Sequence, residues 1–72
     1  MEHDFRVSVA SPPDRENLVA EIFVGNEQFA EVNQEQSALH VEIYPRQNGQ
    51  PWLLTVEDVT EALNQARVRL RG

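Results

Sequence analysis

Residues 39–70 read LHVEIYPRQNGQPWLLTVEDVTEALNQARVRL, and the spacing of the apolar residues changes within this stretch. Leu39, Val41 and Ile43 alternate with His40, Glu42 and Tyr44, the period of two expected of a half-buried strand. Pro45 to Pro51 forms a turn-rich break centred on Asn48-Gly49. After it, Val56, Val59, Leu63, Ala66 and Leu70 recur every three or four residues, an apolar stripe along one helix face. Thr55 is placed to cap that helix, and Asp58 three positions on gives a shortened capping box. Glu57, Asp58 and Glu61 lie towards the positive end of the helix dipole, and Arg67, Arg69 and Arg71 towards its negative end. A strand, a loop and a C-terminal helix follow one another here.

Three more strands are expected upstream. Phe5, Val7 and Val9 alternate with Arg6 and Ser8 until Ser11-Pro12-Pro13-Asp14 ends the run. Leu18 to Val24 is rich in strand formers, and Gly25-Asn26 after it marks a hairpin into a third strand from about Gln28 to Asn33. Short connections favour a meander. The expected fold is therefore α+β, a four-stranded antiparallel meander with one C-terminal helix on one face, β-β-β-β-α. Residues 1–72 form a single small domain.

Size and composition narrow the function. A chain of 72 residues buries only about 60% of the surface its unfolded form exposes, which argues against a deep cleft. It has no cysteine, so disulfides and thiolate metal sites are excluded. Its longest apolar runs, Ile22-Phe23-Val24 and Trp52-Leu53-Leu54, are too short to cross a bilayer. The acidic start, Met-Glu-His-Asp-Phe, is unlike a signal peptide, which makes the cytoplasm the expected compartment. The net charge is −6, and residues 1–54 account for all of it, with nine acids against three arginines. That balance disfavours direct contact with nucleic acid or an anionic membrane and favours a protein partner with a basic surface. Solubility alone is the competing explanation.

Alternation assigns two faces. Phe5, Val7, Val9, Ala20, Ile22, Val24, Ala30, Val32, Leu39, Val41 and Ile43 are expected to face the helix, with Trp52, Leu53 and Leu54 sealing one end. One helix cannot cover both sides of such a sheet. The other side, with Arg6, Ser8 and Val19, would carry the candidate binding residues Glu21, Phe23, Phe29, Glu31, His40, Glu42 and Tyr44. A three-residue hairpin loop would set Phe23 opposite Phe29 and Glu21 opposite Glu31, whereas a two-residue loop would shift that register. Aromatics among carboxylates suit a recognition surface. Cross-strand stabilisation of an exposed sheet face would need the same residues.

Little in the sequence suggests catalysis. Glu21, Glu31, His40 and Glu42 are the one set that could hold a metal, although no ligand spacing is diagnostic and a flat face gives little burial. Ser8, Ser11 and Ser37 lack a base or an elbow motif, and His3 is expected to be solvent-exposed. No cofactor motif is present. The expectation is a non-catalytic protein-binding module. A homodimer joined through the same face or an edge strand is the alternative, and a small metal-dependent enzyme stands third.

The stretch Val41-Glu42-Ile43-Tyr44-Pro45-Arg46, with Asn48-Gly49, Pro51-Trp52 and the helix after it, looks like a group of small uncharacterised bacterial acidic proteins. The run from Ala20-Glu21-Ile22 to Phe29-Ala30-Glu31 is similar to the same group. Bacterial proteins of this size and acidity are often immunity proteins to secreted toxins, antitoxin-like inhibitors or phage-encoded inhibitors. The resemblance thus implies an inhibitor-like binding role and assigns no individual residue.

Overall fold

A computed structural model describes residues 5–71. The expectation for His3 lies outside the described residues. Strands β1 (Phe5–Ala10), β2 (Val19–Val24), β3 (Glu27–Asn33) and β4 (His40–Ile43) are followed by helix α1 (Val56–Arg71). The strands form one antiparallel sheet in the order β1-β2-β3-β4. This is the expected α+β meander with its C-terminal helix.

The central hairpin differs in register from the simple expectation. Its loop is Gly25-Asn26, with Gly25 at φ +62°, matching a two-residue turn that needs glycine in its first central position. Val24 pairs with Glu27 and Phe23 with Gln28, so the expected Phe23–Phe29 pair does not form. The register then shifts by one residue at a bulge, leaving Phe29 without a cross-strand partner on β2. Beyond the bulge Glu21 does face Glu31. The tight turn and the glutamate pair coexist because Phe29 absorbs the difference.

Helix α1 starts as expected. The Thr55 hydroxyl accepts a hydrogen bond from the Asp58 amide at 3.0 Å, and the Thr55 carbonyl accepts the Val59 amide at 3.1 Å. The helix packs on β1, β2 and β3 and makes no contact with β4. Its buried residues are Ala62 and Ala66, small enough to let the helix backbone approach the sheet. Val56, expected in the buried stripe, is exposed, and the helix turns its alanine face inward instead. The core is Val7, Ala20, Ile22, Phe29, Ala30, Val32, Ala62 and Ala66, with Phe5, Val24, Leu39, Trp52, Leu54, Leu63 and Leu70 packed against it.

Three further assignments are corrected, two of them, at Val41 and Ile43, by the off-centre placement of the helix. Val9, Val41 and Ile43 were expected to be covered and are exposed, at 39%, 43% and 61%. Ile43 and Val41 lie on the strand the helix does not reach. In contrast, Val19, placed on the open side by alternation, is fully buried.

Residues 44–55 cross from the sheet to the helix and are held at both ends. Trp52 donates from Nε1 to the Tyr44 carbonyl at 2.7 Å and meets the Phe29 ring edge-on, with centroids 5.2 Å apart. The Arg46 guanidinium lies 5.1 Å from the Trp52 ring centre, and Glu27 accepts the Gln47 amide at 2.6 Å. Trp52 is thus a lid on the core, as expected, with Leu54 packed beside it, whereas Leu53, expected in the same seal, is 84% exposed.

Candidate functional site

Across the helix-free face, the register lines up Ser8, Glu21, Glu31 and Glu42, one from each strand. Carboxylates directly opposite one another repel, so three in a row need compensation. It comes from Arg15, in the loop between β1 and β2. The Arg15 amide closes a turn on the Pro12 carbonyl at 3.2 Å. Its Nη2 then reaches Glu31 Oε2 at 2.9 Å and Glu42 Oε2 at 2.8 Å. Asn33 Nδ2 donates to the same two oxygens, at 3.2 and 2.9 Å. Loop, β3 and β4 are joined by one charge-assisted network.

A second carboxylate holds the loop itself. Glu35 accepts the amides of Glu16 and Asn17 at 3.0 and 3.1 Å, with the Asn17 side chain at 3.5 Å. Gln34 donates to the Leu18 carbonyl at 3.4 Å. The loop therefore folds back over the face, which is why Val19, Glu31 and Asn33 are buried on that side. The bond from the Glu16 amide, aided by those from Asn17 and opposed by desolvation, holds the Glu35 carboxyl below its usual range. A depressed folded value contributes stability above the unfolded pKa and loses it as pH falls through the folded one. The stability difference between wild type and Glu35→Gln is therefore expected at pH 7 and should shrink at pH 3. Urea midpoints at the two pH values check this, and a difference independent of pH would contradict it.

The seven candidate residues separate. Phe29 is 6% exposed and belongs to the core, since the bulge places it beside Ala30 under Trp52. That corrects its assignment to the open face. Glu31 lies on the helix-free face as expected but is only 6% exposed, covered there by the folded-back loop. Phe23 is half-buried beneath Arg6, whose guanidinium lies 4.4 Å from the ring centre. Glu21 is half-buried. Tyr44 is half-buried too, and its phenol is pushed above its usual range by desolvation and then by the field of Glu31 and Glu42. It stays neutral and can only donate to those carboxylates. His40 and Glu42 are exposed, and both lie on β4.

Glu21, Glu31, His40 and Glu42 do not form a metal cluster. Among the described residues no three His, Cys, Asp or Glu side chains are placed to share an ion. The space between Glu31 and Glu42 is taken by Arg15. A shallow groove of about 270 Å³ along the helix, lined by Glu61, Asn64, Gln65, Val68 and Arg69, brings no nucleophile and base together.

Sequence reasoning passed over Arg15 and Asn33. Arg15 is the lone arginine between Arg6 and Arg46, in a segment with seven acids, and that isolation was the available signal. Replacing it with methionine should destabilise the fold by leaving Glu31 and Glu42 facing each other without a cation. Adding Glu42→Gln to Arg15→Met should recover part of the loss in thermal unfolding. If the two losses simply add, Arg15 does not act through this pair.

Among the strands, exposure is concentrated instead on β4. All four of its residues are exposed, and Val41 and Ile43 present apolar side chains on the helix side of the sheet, beyond the helix's reach. The register with β3 and the bond from the Tyr44 amide to the Phe29 carbonyl at 2.9 Å fix which backbone groups face inward. His40, Glu42 and Tyr44 bond to β3, so the N–H and C=O groups of Val41 and Ile43 point away from the sheet. Compared with family models, curated proteins and solved structures, the chain shows no significant match to any of them.

Proposed function

We propose that this chain is a protein-binding module that engages its partner along β4. The observation that carries the reading is an edge strand with outward backbone groups, two exposed apolar side chains and no helix over it. Such an edge is a template for strand addition, in which backbone hydrogen bonds supply affinity and alternate side chains supply selectivity. An immunity-type or inhibitor role would fall within this reading. The acidic row on the other face supports it less, since Arg15 and Asn33 already occupy two of its carboxylates.

Site-specific photo-crosslinking tests the reading in the cells that make the protein. A benzophenone amino acid in place of Ile43 should give a covalent adduct with a protein. The same group in place of Thr60, exposed on the helix, should give none. Adducts from neither position, or equally from both, would contradict binding along β4.

A further inference from the structure

Resting on the reading of β4 as a binding edge, we infer that its partner is β4 of a second copy of this chain, paired antiparallel about a two-fold axis at Val41. The two edges of the sheet are not equivalent. On β1, Arg69 donates from Nη1 to the Val7 carbonyl at 2.9 Å, and Arg6 lies over Phe23 beside it. A charged side chain on edge backbone is a common guard against strand addition. The helix also packs on β1 and leaves β4 alone. Between Leu39 and Tyr44 there is no lysine, arginine or proline. The unguarded edge is β4.

Register follows by elimination. Only residues with outward backbone groups can form hydrogen-bonded pairs, so the registers that bring the exposed residues together centre on Val41 with Ile43, Ile43 with Ile43 or Val41 with Val41. Pairing Val41 with Ile43 of the second copy sets Glu42 directly against Glu42, a like-charge contact at the shortest cross-strand distance. Pairing Ile43 with Ile43 sets Val41 against Pro45, which has no N–H to donate. Pairing Val41 with Val41 avoids both faults. It sets His40 against Glu42 twice, an imidazole facing a carboxylate, and Leu39 against Ile43 twice on the apolar side. Glu42 can take part, because Arg15 and Asn33 both bond to its Oε2 and leave Oε1 free among the described residues.

The result is a continuous eight-stranded sheet with both helices on one side. The added surface is small, which puts the dimer among transient contacts, and a charge of −6 per chain opposes it at low salt. Sedimentation of the full chain at about 0.15 M salt should show reversible dimerisation between roughly 1 µM and 1 mM. Val41→Lys and Ile43→Lys, at exposed positions, should each keep a native circular dichroism spectrum and weaken dimerisation by at least about tenfold. In the wild type, raising the concentration should slow amide exchange at Val41 and Ile43 and leave Glu42, already bonded to β3, unchanged.

A strict monomer at 1 mM overturns self-pairing. So does a dimer that both lysine variants leave intact, or concentration-dependent protection on β1 instead of β4. The crosslink at Ile43 separates this inference from the reading beneath it. A monomer whose Ile43 adduct contains a foreign protein overturns self-pairing and leaves β4 a binding edge. A monomer with no adduct overturns both.

Discussion

Ile22→Ala is expected to lower the unfolding free energy by about 2–5 kcal/mol, with Ile22→Val costing about 0.5–1.5 kcal/mol. Ile22 is fully buried at the middle of β2, between Val7 on β1 and Ala30 on β3. The helix approaches this part of the core with Ala62 and Ala66, and Ala20 is the next core residue along β2. Ile22 is thus a large side chain among small ones. Alanines cannot reach into the space its truncation would leave, and two hydrogen-bonded neighbours prevent β2 from collapsing into it. A domain of 72 residues has about 4–11 kcal/mol of stability in all, so the variant stands close to unfolding. Urea titration should show a lower midpoint with an unchanged slope. A loss below about 1 kcal/mol would mean that the helix packs elsewhere.

The same region shows how far the fold could be read from sequence. Period-two runs at Phe5–Val9 and Leu39–Ile43, the Gly25-Asn26 turn and the Thr55 cap are all local signals, and each produced the element it indicated. Helix position was not local. Val41 and Ile43 have the same alternation as Val7 and Ile22, yet whether a strand is covered depends on where a helix about 10–12 Å wide settles over four strands spaced about 4.8 Å apart. A stripe centred on Ala62 and Ala66 nestles against β1 to β3 and leaves the fourth strand bare.

The candidate site was legible only in part, for a related reason. Glu21 opposite Glu31 followed from the hairpin, and Glu42 joins them in the same row. What neutralises the row comes from Arg15, 16 residues from Glu31 and 27 from Glu42, held by a loop pinned through Glu35. Nothing in the spacing of Pro12-Pro13-Asp14-Arg15 indicates that this loop folds back across the sheet. The bulge was hidden as well, because a two-residue turn and the Glu21–Glu31 pair look incompatible until one residue of β3 drops out of register. Phe29 is that residue. Moving it inward takes away half of the expected aromatic pair and gives Trp52 its contact in the core.

Trp52→Ala is accordingly expected to cost about 3–5 kcal/mol, near the range for truncating a large aromatic. Three interactions end together. The edge-to-face contact with Phe29 contributes about 0.5–1.5 kcal/mol beyond burial, the bond to the Tyr44 carbonyl about 1 kcal/mol, and stacking of Arg46 about 0.5–1 kcal/mol. Lost apolar burial makes up the remainder. Trp52→Phe keeps the ring against Phe29 and removes the donor, so its cost should be nearer 1 kcal/mol. The pair also probes β4. Trp52 anchors the carbonyl of Tyr44, the residue directly after the strand, and so fixes the end at which Ile43 is presented. If β4 is the binding edge, Trp52→Phe should weaken partner binding more than its small stability loss explains, with faster amide exchange confined to residues 43–46. Binding that tracks stability alone in both variants would show that Trp52 supports the core without shaping the edge.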